Sequence, residues 1–349
     1  MLTEYIGMEE VLPGVWRVGV PLKGNPLKEL NSYVVLGKAK GTKNLLIDTG
    51  FRTRACKEAL FWGLSRLGVR MEETDILLTH LHADHCGNGP DLVKEGNRIF
   101  IGRTDGEIMV GAGEWKAENF GDAKRGRGLE TIHGRKRERL REHGICPGLI
   151  EEMRKRAPSR TMAPCPDFAD YTFLDEGDAL IAGQYQLRAI EAPGHTPGQM
   201  CFELEGTGAM ILGDHVLFDI TPNITDWPQV RDSLGNYLDS LTKLDGYDVK
   251  IPLPGHRKPG DYHGRIRQLK DHHKMRLEEC RQAVKRLGKA GLYEIGGSMT
   301  WNIRVSGWDE FPPAQRWFAL GECLAHLDHL KEMGQIEEHR EGGVIWYEA

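Results

Sequence analysis

Apolar residues along the chain fall into short runs of strand length, grouped in two series with a charged stretch between them. In the first series "GVWRVGV" alternates, "NSYVVLG" and "NLLIDTG" are apolar runs closed by glycine, and "DILLTH" is a further run. Between the last two, Ala55, Leu60, Leu64 and Leu67 recur near helical spacing and predict a helix over about 53–67. "NRIFIG" adds one more strand. From about 103 to 170 no strand is evident, and a charged, helical segment broken by Pro147, Pro158, Pro164 and Pro166 is expected. Strands resume at "YTFL", "YQLRAIEA", "MCFELEG" and "AMILGD", and a helix over about 229–243 leads to "VKIPLPGH".

The tail changes character. A long helix beginning near Tyr262, a second helix over about 313–333 and the strand pair "GQIEEHR" and "GGVIWYEA" around Gly342 and Gly343 are predicted. Helices followed by a small hairpin suggest a winged-helix-like unit. The expected organisation is a catalytic domain over 1–262, with a helical insertion over about 103–170, and a winged-helix-like domain over 263–349.

Composition adds limits. A chain of 349 residues, 40% apolar and 28% charged, can bury a substantial core. No run approaches the roughly 18 apolar residues that cross a bilayer, and the acidic start "MLTEYIGMEEVLPG" lacks the features of a signal peptide, so a cytoplasmic location and no membrane partner are expected. Seven cysteines without a CxxC pair point to reduced thiols, not to a disulfide framework or a cysteine zinc knuckle. Net charge is −5, yet residues 124–141 hold eight Lys or Arg against two Glu, which leaves −11 on the remainder. Residues 281–349 carry eight basic against ten acidic residues, a balance unsuited to a DNA backbone; packing or homodimer formation is the expected role of the tail.

The chemistry is concentrated in "ILLTHLHADHCGNG", residues 76–89. A strand ending at Thr79 delivers His80 and His82, two positions apart, to the same side of the chain, and Asp84 and His85 follow at once. Burying so many polar groups together would carry a large desolvation penalty without a metal, and neutral imidazole is a strong ligand for zinc or iron. Further ligands of a two-metal site must come from later strand ends. His195 in "IEAPGHTPGQ", Asp214 in "MILGDHVLF" and His256 in "IPLPGHRKPG" each lie in a turn marked by glycine or proline. Cys86 beside the cluster reads as a packing residue, and the adjacent His272 and His273 as solvent-facing.

In order, H-x-H-x-D-H, a single His, a single Asp and a last His resemble the motifs of the metallo-beta-lactamase superfamily over about 14–260. The resemblance implies a four-layer αββα sandwich with the metals at one edge between two sheets. It implies that His80, His82 and His195 hold a first metal, that Asp84, His85 and His256 hold a second, and that Asp214 bridges them. Asp48 in "LLIDTG" matches an early aspartate that supports the site without ligating. The cofactor implied is a pair of divalent ions, zinc first, with iron or manganese as alternatives.

Asp214 resembles the bridging residue of glyoxalase II-like hydrolases, whereas antibiotic-destroying members commonly place a cysteine ligand at the second metal. His82 departs from the flavo-diiron pattern. Together with the winged-helix-like tail, "GDHVLFDITPNI" resembles a subgroup of stand-alone hydrolases. The implied chemistry is attack on a small ester or thioester by a metal-bridging hydroxide, formed because bound water ionises near pH ~7 instead of at about 15.7. Asp84 would orient that hydroxide. Two alternatives remain open: an endoribonuclease or phosphodiesterase that holds RNA with the basic insertion, and a mononuclear iron persulfide dioxygenase. If the insertion forms a lid, Arg135, Arg137 and Arg141 are its candidate residues for binding a small anionic substrate.

Overall fold

The computed structural model describes residues 7–37, 42–115, 128–156 and 167–349. Parts of the expected insertion, including Lys124, Arg125, Arg127, Pro158, Pro164 and Pro166, lie outside the described residues.

Seven strands form the first sheet, in the order of the chain: β1 (Met8–Leu12), β2 (Val15–Pro21), β3 (Glu29–Val35), β4 (Asn44–Ile47), β5 (Thr74–Leu78), β6 (Ile99–Gly102) and β7 (Tyr171–Leu174). Pairing is antiparallel from β1 to β4 and parallel from β4 to β7. The second sheet holds β8 (Ala179–Ala182), β9 (Tyr185–Glu191), β10 (Met200–Leu204), β11 (Ala209–Gly213) and β12 (Ile251–Pro254), antiparallel except for β11 with β12. Both sheets are therefore mixed. Where strands run parallel, their C-terminal ends meet at one edge, and in such sheets that edge is where ligands bind.

The apolar faces of the two sheets meet. Val35, Ile47, Leu77 and Phe100 from the first share one buried cluster with Leu187, Phe202, Ile211 and Leu253 from the second. On the outer side of the first sheet, Val18, Leu46 and Ile76 pack with Leu60 and Leu64 of α1 (Arg54–Arg66). The periodic residues expected to form a helix thus do so, capped by Thr53, whose side chain accepts from the Cys56 amide. Two single-turn helices, α2 (Ala83–Cys86) and α3 (Gly89–Leu92), follow β5, and α4 (Arg103–Val110) follows β6.

Beyond α4 come α5 (Gly128–Glu142) and α6 (Pro147–Arg156), with no strand among the described residues before β7. On the outer side of the second sheet, Met210 and Leu212 pack with Leu234, Tyr237 and Leu241 of α7 (Ser233–Leu244) and with Ile266 and Leu269 of α8 (Tyr262–Leu287). Then come α9 (Leu292–Gly297), α10 (Pro313–Glu332) and the hairpin of β13 (Glu337–Glu341) with β14 (Val344–Glu348). Leu140, Ile150 and Met153 of α5 and α6 enter one apolar cluster with Val284, Leu292, Leu324 and Tyr347, so insertion and tail share a core. Among the described residues no helix is long and apolar enough to cross a membrane.

His273 corrects the expectation of a solvent-facing pair. It is 1% exposed, because α8 is covered by α7 and α10: its Nδ1 lies 3.4 Å from His326 Nε2 and its ring 5.4 Å from that of Tyr237.

Phe202 lies at the centre of the cluster between the sheets and is fully buried. Phe202→Ala should lower stability by about 3–5 kcal/mol, the transfer loss plus the cavity left behind. Urea unfolding followed by circular dichroism measures this, and a loss below about 1 kcal/mol would mean that the sheets do not depend on this contact.

Candidate metal centre

Every residue of the expected ligand set follows the C-terminal end of a strand. β5 leads to His80 and His82 and to α2, which carries Asp84 and His85; β9 leads to His195, β11 to Asp214 and β12 to His256. The seven residues converge in three overlapping groups, His80 with His82 and His195, His80 with His85 and Asp214, and Asp84 with His85 and His256, whose ligand atoms lie within 4.8 Å of one another. His80 Nε2 is 3.1 Å from His82 Nδ1, which is 2.9 Å from His195 Nε2; on the other side His85 Nε2 is 3.3 Å from His256 Nε2. Asp214 stands between the two sides. Its Oδ1 is 3.3 Å from His85 Nε2, and its Oδ2 is 3.8 Å from His195 Nε2 and 3.4 Å from His256 Nε2.

The rings are aimed from behind. His195 Nδ1 bonds to the Asn223 carbonyl at 3.0 Å, His256 Nδ1 to the Glu29 carbonyl at 2.7 Å, and His80 Nδ1 lies 3.0 Å from Thr79 Oγ1. Such bonds fix which nitrogen is left to face a ligand. Asp48 occupies the left-handed region (φ 58°), where Asp is among the better tolerated residues. There it accepts from the Thr79 amide and hydroxyl, each at 2.8 Å, and from His85 Nδ1 at 2.7 Å. A Cβ on Gly255 would meet Asp214 Oδ1 at 2.5 Å and His85 Cε1 at 2.8 Å, so only glycine lets the chain before His256 pass this close.

Burial and neighbouring imidazoles hold His80 and His82 well below the ordinary histidine range, and burial lowers His195. All three are thus neutral, the form that ligates. Burial opposes charge on His256 too, but Asp214 and Asp84 outweigh it and raise that ring to about 10. Against its own burial, Asp84 is held down to about 2 by His256 and His85. Asp214 Oδ1 is buried without a hydrogen-bond donor. An orphaned carboxylate oxygen among imidazole nitrogens that face one another is a donor set suited to divalent cations of the zinc or iron type.

A model of the metallo-beta-lactamase superfamily matches residues 28–256. The chain belongs to that superfamily. Among its curated relatives is an atrochrysone carboxyl ACP thioesterase of Paecilomyces divaricatus, 25% identical over 71% of this chain and 57% of the relative, so the chain spans little more than half of that protein. A thioesterase of the same description from Emericella nidulans is 23% identical, with 98% of this chain and 86% of the relative aligned. A solved metallo-beta-lactamase family protein of Thermus thermophilus superposes with a TM-score of 0.75 at 28% identity, covering 97% of this chain and all of that one. The superfamily's α/β fold, with two mixed sheets followed by C-terminal helices, is therefore the fold of this chain.

The basic residues singled out on the insertion are differently placed. Arg135 Nη1 donates to Glu138 at 2.7 Å within α5, Arg137 is half-buried and Arg141 is exposed. The buried cation of that helix is their neighbour Lys136, whose Nζ lies 4.0 Å from the centroid of the Trp227 ring.

Sequence reasoning also missed Asp105. This fully buried carboxylate on α4 accepts from the Leu81 amide at 2.9 Å, the Thr196 hydroxyl at 2.7 Å and the Gly198 amide at 2.7 Å. It ties the loop of His80 and His82 to the loop of His195. The available signal was its place just past "NRIFIG", since β6 runs parallel to β5 and ends at the same edge.

Asp105→Asn puts an amide N–H2 against one of these donors and should loosen both loops. Metal affinity should fall about 10- to 100-fold, as for lost outer partners of other metal ligands, in a protein whose circular dichroism is unchanged. Competition with a chromogenic chelator measures it, and parental affinity in the variant would remove Asp105 from this role.

Proposed function

We propose that this protein is a metal-dependent hydrolase that cleaves thioesters at a dinuclear centre. The observation that carries the reading is Asp214, a single carboxylate in reach of both sides of the cluster. His80, His82 and His195 would hold one ion, Asp84, His85 and His256 the other, and Asp214 would serve both. Zinc is the ion we assign first, because neutral imidazoles and carboxylates are its usual ligands. The choice of a thioester rests on the relatives named as acyl carrier protein thioesterases.

When bound, divalent ions activate water for attack and polarise the carbonyl under attack. The protein's own residues supply orientation. Asp84 Oδ2 lies 3.4 Å from His256 Nε2, which leaves its second oxygen to accept a hydrogen bond from the attacking water. Trp227 donates to the His195 carbonyl at 3.3 Å, and its ring centroid lies 6.1 Å from that of His82, forming an aromatic wall for an acyl chain. No serine or cysteine nucleophile is needed: Cys86 is buried, with Sγ 3.0 Å from the Leu81 carbonyl, and burial pushes its thiol well up. A thiolate leaves more readily than an alkoxide, which suits a site without a dedicated acid at the leaving group.

His82→Ala and Asp214→Ala should each lower thioester turnover by more than about a hundredfold, since loss of an outer partner alone costs 10- to 100-fold. The wild-type protein, purified without chelator, should contain two equivalents of metal by elemental analysis, and each variant less. Turnover at wild-type rates with full metal content would remove both residues from the mechanism. One equivalent of iron with oxygen uptake on a persulfide, or cleavage of RNA but not of thioesters, would overturn the reading.

A further inference from the structure

Along α5 the buried face steps through Ile132, Lys136 and Leu140, four residues apart. The middle position, flanked by apolar residues, holds a cation. Lys136 is 9% exposed, and among the described residues its ammonium has no carboxylate or carbonyl partner, only the Trp227 ring 4.0 Å away. Two charged groups act on it, Asp226 attracting and Arg139 repelling. Both are committed elsewhere. Asp226 faces Arg139 Nε at 3.6 Å and accepts from the Thr225 hydroxyl, while Arg139 Nη2 reaches both oxygens of Asp328 at 2.7 and 2.5 Å.

A cation–π contact offsets only part of the cost of desolvating an ammonium. A buried lysine so placed calls for an anion. The indole that covers it is the one that bonds to His195 and stands beside His82, and the two ring spacings, 6.1 and 4.0 Å, bring Lys136 Nζ within about 10 Å of the His82 ring. A short acyl chain measured from its reacting carbonyl fits within that upper bound.

We propose that Lys136, with Trp227 as its wall, forms a subsite for a carboxylate carried on the acyl part of the substrate. The inference deepens the thioesterase reading and rests on it for the identity of the reacting bond. The substrate class it selects is the thioester of a dicarboxylic or otherwise acidic acyl group, in place of a plain fatty acyl chain. Arg135 and Arg141, paired within α5 and exposed respectively, are not needed for this selection.

The test compares glutaryl and pentanoyl thioesters of N-acetylcysteamine, acyl chains of equal length with and without a terminal carboxylate. Wild-type protein should favour the glutaryl substrate. In Lys136→Met the ratio of kcat/KM for glutaryl over pentanoyl should fall at least tenfold, mainly through KM, and Lys136→Arg should restore most of it. A ratio unchanged in Lys136→Met, or equal losses on both substrates, would overturn the subsite. Binding of monomethyl glutarate, followed by tryptophan fluorescence with Trp227→Phe to identify the responding residue, provides a readout independent of hydrolysis. It should weaken at least tenfold in Lys136→Met, and equal binding would also overturn the subsite. If neither thioester is hydrolysed by the wild-type protein, the thioesterase reading fails while the fluorescence titration still decides the role of Lys136.

Discussion

Imidazole nitrogens face one another at 2.9 to 3.3 Å, and in the rings whose other nitrogen already donates, a neutral imidazole has only a lone pair left to turn toward its neighbour. His195 and His256 each give an Nδ1 proton to a backbone carbonyl and His85 gives one to Asp48; the neutral His80 and His195 turn lone pairs inward, whereas the carboxylates beside His85 and His256 favour positive charge on those two rings. Lone pairs gathered in a buried space need a cation. The centre is therefore assembled by the fold in advance and held in a state that only positive charge relieves, and Asp214 with its orphaned Oδ1 adds to the same demand.

The fold meets that demand at the edge where its two sheets are joined. The Met200 amide donates to the Thr79 carbonyl at 3.0 Å, the Asn31 amide to the Gly255 carbonyl at 2.7 Å, and the Tyr33 hydroxyl to the Pro254 carbonyl at 2.9 Å. Each bond crosses from one sheet to the other within a residue or two of a ligand. Asp48 and Asp105 extend the same stitching with charge: the first binds the end of β5 to His85, the second binds Leu81 to the loop of His195. Burial pushes the Asp105 carboxyl up to about 6 against three donors that favour its ionised form. The apolar cluster between the sheets contains Tyr33 and Met200 but neither Asp48, Asp105 nor any of the seven candidate ligands, so the packed core adjoins the chemistry without including its charged groups.

Of the candidate cluster, spacing brought His80, His82, Asp84 and His85 together, whereas His195, Asp214 and His256, each a weak signal in a turn after an apolar run, joined the set through the order of motifs that the resemblance supplied. Most strands and the helices α1, α7, α8 and α10 were anticipated from the sequence. What escaped was decided by tertiary packing. β1, with sequence MEEVL, and β8, with sequence ALIA, lie at sheet edges where one neighbour suffices, so their patterns are weak. The two glycines of α9, LYEIGG, disguise it as a loop. His273 looked solvated beside other charges until α10 covered that face of α8. Lys136 sits within "GRKRERLR", where composition says surface, and only the four-residue step from Ile132 to Leu140 places that one cation inside.

The same helix explains why the C-terminal elements bear on a centre to which they contribute none of the seven candidate ligands. At one end of α5, Ile132 packs in the cluster that contains Trp227; at the other, Leu140 packs with the C-terminal helices and β14. Arg139 grips Asp328 of α10, and His143 Nε2 lies 2.9 Å from the Tyr347 hydroxyl of β14. A helix pinned at both ends cannot swing as a free lid would. Its position relative to Trp227, the indole beside His82, is set by the same contacts that fold the tail. If Lys136 selects the acyl group as proposed, that selection and the packing of the C-terminal helices are two consequences of one rigid element, set apart from the candidate ligand cluster on the strands.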